Sequence, residues 1–292
     1  MARFAGIAAL ALGLFAVDAH AATINVKPGP NAIQKAVDSA DPGDRLLVKR
    51  GTYREDVQVD KRLRIVGKKG RRPVINGRCE TERTIDVVAN GVRLRHLKVK
   101  GAASKPYGYT VNLIGVASGR LHDLVLRESC NANPAYYGIN VFDTGAIEIT
   151  ETKSSGGFID AGIYLGGIGD VGNRDFLIAR NEALNNNIGI LIEDSVPGAN
   201  ILVRNNFAHD NALAGLSTPA GVLVRRSDGG RYIRNRTNRN GDYGIHLLDD
   251  GGNTADDNVL RGNRSFGNGT ANFLNQGSGN CGAGNSFSIA PC

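Results

Sequence analysis

Tryptophan is absent from this chain of 292 residues, methionine occurs once, at position 1, and aromatic residues make up only 6%. A soft-metal site built on thioethers therefore has no donors. No C-x-x-C pair exists to hold zinc, and no D-x-D-x-D-G loop to hold calcium in the EF-hand manner. The apolar run at residues 5–17 falls short of the ~20 needed to span a bilayer, and no other segment qualifies. What the chain has instead is 39 glycines and 41% hydrophobic residues. That composition suits many short strands joined by tight turns better than a helical globule.

Arg3, the apolar residues 5–17 and the A-x-A run Ala19-His20-Ala21 have the three parts of a secretory signal peptide. The chain is expected to be secreted or periplasmic, cut after Ala21, with residues 22–292 forming one domain. In an oxidising compartment its four cysteines predict two disulfides, and three pairings are open. The short C-terminal spacing favours Cys281–Cys292, leaving Cys79–Cys130. Net charge is +7 and concentrated early, in "KKGRR" at 68–72 and in Arg93, Arg95, Lys98 and Lys100. A basic balance in an exported protein points to an acidic polysaccharide rather than nucleic acid.

One strand is written repeatedly: "YGINVFD", "DAGIYLGG", "IGILIED", "AGVLVRR" and "YGIHLLD". The glycines inside it, Gly138, Gly162, Gly189, Gly221 and Gly244, are 24, 27, 32 and 23 residues apart. Asparagine pairs keep the same beat: Asn181/Asn186, Asn206/Asn211, Asn235/Asn240 and Asn263/Asn268. Such a period means stacked coils, and three short strands per coil give a parallel β-helix rather than a propeller. Stacking predicts two internal columns, Ile139-Ile163-Ile190-Val222-Ile245 and Val141-Leu165-Ile192-Val224-Leu247. The first asparagine of each pair is expected in a buried turn column, satisfying backbone groups, with His96 and Asp123 at the same turn of earlier coils. Asn31 and Gln34 read as a capping box opening an amphipathic helix that covers the N-terminal end of the stack.

The segment "AIQKAVDSADPGDRLLVKRGTYREDVQVDKRLRIVG" resembles the opening of pectin-lyase-like right-handed parallel β-helix proteins. The later coils are similar to right-handed β-helix repeat proteins, including a periplasmic group concerned with copper-site maturation. The resemblance runs from about Thr23 to Asn275. It implies an all-β, single-stranded right-handed parallel β-helix with an N-terminal capping helix, and places substrate along the outer face of the "GIYLG" strand. Residues pointing outward there, with those of the adjoining loops, give a compact set. Tyr164, Asp160, Arg225 and Arg226 are the catalytic candidates. Tyr137, Asn140 and Glu193 are the substrate-binding ones, and Asp143 and Asp194 would hold Ca²⁺.

Two readings follow. An enzyme would act on a uronate polysaccharide by β-elimination or C5-epimerisation, a cation neutralising the carboxylate while a base such as Tyr164 removes the adjacent proton. The alternative is a non-catalytic carbohydrate-binding or structural protein. The missing signatures motivate the second and leave a lyase or an epimerase open: polygalacturonase-like G-H-G and R-I-K, epimerase-like D-P-H and every Trp-containing motif are absent. Copper is disfavoured by the lone methionine and the lack of clustered histidines.

Overall fold

The computed structural model describes residues 21–103, 107–167, 174–195, 198–213, 218–251 and 255–292. The expected signal peptide, apart from Ala21, lies outside these residues. The described chain is an all-β parallel solenoid. Each coil passes through three sheets in turn, exemplified by Tyr109–Ile114 in sheet 1, Ser118–His122 in sheet 2 and Val125–Arg127 in sheet 3. Sheet 2 has eleven strands, and sheets 1 and 3 have nine each. No helix of the described residues is long and apolar enough to cross a membrane.

Both predicted internal columns are present in register. Val111, Ile139, Ile163, Ile190, Val222 and Ile245 stack, and beside them Leu113, Val141, Leu165, Ile192, Val224 and Leu247. All belong to one continuous core. The repeated glycine has a steric cause. A Cβ on Gly189 or Gly221 would lie 2.6 or 2.7 Å from the carbonyl oxygen of the next glycine in the stack, and within 2.9 Å of an asparagine Nδ2. Only a residue without Cβ lets the chain approach the second asparagine of each pair so closely.

Both asparagines form ladders. Asn206 Nδ2 donates to Ile178 O at 2.9 Å and to Asn235 Oδ1 at 2.9 Å; Asn211 Nδ2 donates to Ala183 O at 3.1 Å and to Asn240 Oδ1 at 3.0 Å. Asn285 extends the first ladder. His96 and Asp123 sit one position earlier than expected. They take the left-handed conformation with φ of 56° and 51°, as do Glu151 and Arg180, while Leu97, Leu124 and Thr152 precede Asn181 in the ladder position.

Among the described residues one helix is present, Ala32–Ser39, burying Ile33, Ala36 and Val37 against the first strands. The capping box does not form. Asn31 is left-handed and makes no side-chain cap. Glu55, 22 residues beyond Ile33, performs that work: its carboxylate accepts from Ile33 N at 3.1 Å and Gln34 N at 2.9 Å. The pairing Cys79–Cys130 and Cys281–Cys292 is observed.

Candidate functional site

The outer face of sheet 1 is not an open polar strip. Its central column runs Asp86, Asn112, Asn140, Tyr164, Leu191, Leu223 and His246, and every member is buried. Leu191 and Leu223 join Ala161, Ile188 and Ala220 in a second apolar cluster with Tyr164. Asn140 Nδ2 donates to Asn112 Oδ1 at 2.7 Å, and Asn112 Nδ2 to Asp86 Oδ1 at 2.7 Å. The Asn140 amide is therefore engaged within the sheet.

Sequence reasoning picked Tyr137 and Tyr164 and missed the company they keep. Six of the eight tyrosines lie on this face and its preceding loops, five of them gathered in its early coils. Tyr109, Tyr137 and Tyr164 stack along the coils, with centroids 5.9 and 4.4 Å apart. Tyr136 meets Tyr137 edgewise, and Tyr107 meets Tyr136 at 5.1 Å. Tyr107 is 53% exposed, and Ile114 and Phe142, register neighbours on the same face, are 38% and 41% exposed. A half-buried stack thus leads to the exposed Tyr107, while Ile114 and Phe142 lie at the far ends of their strands. The signal was available: "PYGY" and "AYYG" fall one coil apart once Tyr109 is aligned with Tyr137.

The catalytic candidates fall into two groups. Tyr137 Oη donates to Asp160 Oδ2 at 2.7 Å. Burial, reinforced by the Asp160 charge, pushes the Tyr137 phenol above its usual range. Burial does the same to Tyr164, with Glu193 adding to it. The Tyr164 ring lies over Gly166, where a Cβ would meet its hydroxyl. Two stacked phenols that hold their protons more tightly than free tyrosine are poorly placed to abstract one at neutral pH.

The second group is an ion-pair network. Arg225 and Arg226 both pair with Glu193; Arg226 also reaches Asp194 and Asp250, each at 2.5 Å. Burial pushes the Glu193 carboxyl up, against the pull of the Arg225 guanidinium. Two cations face three carboxylates, so these arginines are already neutralised where a uronate would need them free.

Asp143 and Asp194 lie two coils apart, on either side of the Ala161–Gly166 strand. Both have left-handed φ, 49° and 53°, and Gly167 and Arg226 take the same conformation at the equivalent position of their own coils. Asp tolerates this conformation better than most residues, so the recurrence at strand ends answers a turn requirement. With Asp194 held by Arg226, the pair does not fit a shared calcium site. Among the described residues no three His, Cys, Asp or Glu side chains gather as a metal would require.

Comparison with solved structures finds the same fold in a PL6 family alginate lyase, AlyGC, with TM-score 0.65 and 16% identity over 90% of this chain. This chain spans 39% of that enzyme's length. The pectate lyase Pel9A gives TM-score 0.63 and 14% identity over 92% of this chain and 80% of its own. An alginate lyase from Paenibacillus sp. str. FPU-7 gives 0.63 and 15% over 92% and 96%. At these identities the likeness establishes the architecture, that of pectin-lyase-like right-handed parallel β-helices. No curated protein matches the sequence. Residues 98–289, more than half of the chain, match the model of a family described as "Periplasmic copper-binding protein (NosD)", and the chain belongs to that family.

Proposed function

We propose that this protein works outside the cytoplasm, in the periplasm or secreted after cleavage behind Ala21, as a β-helix that binds an acidic polysaccharide without cleaving or epimerising it. The observation that carries this reading is the tyrosine assembly on sheet 1: a stacked, rigid base with the exposed Tyr107 at its rim. Aromatic faces supply apolar area and a hydroxyl together, which suits sugar rings. The solved neighbours named for alginate and pectate share the fold, and the two disulfides accord with an oxidising compartment. Against turnover stand the tightly held phenol protons and the neutralised arginines. In the same reading the helix Ala32–Ser39 closes the N-terminal end of the stack.

The family description names copper, and the residues present do not fit a copper centre. All cysteines are in disulfides. Among the described residues no three His, Cys, Asp or Glu side chains gather, and the methionine is residue 1. Soft or imidazole-rich donor sets are what copper selects.

Immobilised protein should retain uronate oligosaccharides. Tyr107→Ala should weaken retention roughly fivefold, the value of one aromatic contact. Unchanged retention in that variant would remove the tyrosine rim from the account.

A further inference from the structure

A column of unpaired positive charge lies on another face. In sheet 2 the strands Arg45–Val48, Arg64–Val66, Val92–Arg95 and Ser118–His122 pair in a register that stacks Arg45, Arg64, Arg93 and Arg120 in one column. All four are exposed. Adjacent members are one strand spacing apart, about 4.8 Å, so the column spans about 14 Å. Like charges directly opposite one another on neighbouring strands are destabilising, and nothing in the solenoid's packing calls for them.

Several arginines elsewhere are paired: Arg180 has Glu151, Arg226 has Asp194, and Arg239 has Asp210. Among the described residues Arg45, Arg64 and Arg93 have no carboxylate within ion-pair distance. The column ends where Arg120 meets Glu148 at 3.1 Å. Beside it, a cleft of about 490 Å³ is lined by Arg45, Lys49, Lys68, Arg71, Arg95 and His96 among others, with no acidic residue in its wall.

We propose that this arginine ladder is the charge-recognition site for a linear anionic polysaccharide lying along the solenoid axis, across the strands of sheet 2. The inference rests on the glycan-binding reading and moves its electrostatic half away from Arg225 and Arg226. Three features select a polymer. The charges form a line rather than a disc, they repeat on the scale of one sugar unit, and guanidinium forks take carboxylate or sulfate bidentately. The unpaired ladder is then a stability sacrifice relieved by the ligand, and this fixes the sign of a second effect. A glutamate at position 64 would sit between Arg45 and Arg93 and convert repulsion to attraction.

Binding of galacturonate, mannuronate and sulfated hexasaccharides is measured by titration calorimetry with the full chain, alongside anionic phosphatidylglycerol vesicles. The double variant Arg64→Glu/Arg93→Glu should lose at least about tenfold in affinity, since each charge-assisted bond accounts for roughly that much or more. The matched variant Arg231→Glu/Arg261→Glu, with the same change of charge on exposed residues at the far end of the same sheet, should stay within about twofold of wild type. Arg64→Glu alone should melt at or above the wild-type temperature, which separates lost binding from lost folding. Stronger binding of the sulfated or of the carboxylated oligomers identifies which anion the ladder takes. Equal affinity in wild type and the first double variant overturns the ladder and leaves glycan binding standing. Wild-type protein that binds none of the oligosaccharides overturns both, and ladder-dependent binding to vesicles alone reassigns the face to lipid.

Discussion

Asn211 illustrates how burial decides the role of a single side chain. In the sequence it is the second asparagine of its pair, and only the first is expected in the buried turn column. In the fold it is fully buried and bonded to the coils before and after it, as Asn206 is in the other ladder. Asn206→Ala and Asn211→Ala should therefore each cost about 1–3 kcal/mol, the range for leaving buried polar groups unsatisfied, and thermal or denaturant unfolding of the two variants should show similar losses. His246 carries a pH signature. It is buried, its Nε2 is 2.7 Å from Gln276 Oε1, and burial lowers its pKa below 6.5. A histidine with a lowered folded pKa gives stability that is present above the unfolded value and lost as pH falls through it. His246→Gln should accordingly close the gap to wild type as pH drops from 7 to 5. A gap that stays constant over that range would mean His246 is protonated equally in both states.

At the scale of elements, the helix Ala32–Ser39 shows what local sequence reading can and cannot reach. Its apolar face, Ile33, Ala36 and Val37, was legible from spacing alone. Its cap was not, because the acceptor comes from Glu55, a residue that only the completed coil brings to the helix N-terminus. Glu55→Ala should cost about 1–2 kcal/mol, as loss of an N-cap does, while Asn31→Ala, which removes no cap, should cost less; chemical denaturation of both variants checks the order. The same distinction holds for the strands. The glycine and asparagine periods gave the coil length, the sheet 1 register and the internal columns. How the outer face packs was not legible, because alternation tells which side chains point outward and not whether Leu191, Leu223 and Ile188 will pack into a second apolar layer. Asp143 and Asp194 looked like ligands because their recurrence was visible and the left-handed backbone that explains it was not.

Across the whole molecule, charge and aromatic character are separated. The tyrosines gather on sheet 1 and the loops that lead into it, whereas the unpaired arginines line the early strands of sheet 2. The basic N-terminal bias was plain in composition, but its alignment into a column depends on a register that spans four coils. In the proposed function this solenoid keeps the architecture of polysaccharide lyases and binds without their chemistry. Prolonged incubation of the protein with pectate and alginate, followed by ultraviolet absorbance from unsaturated chain ends and by the stereochemistry of the uronates, tests that claim most directly. Polymer that is retained on the protein yet unchanged in both respects is the predicted result. Absorbance that grows in proportion to protein and disappears in Tyr164→Phe would contradict it.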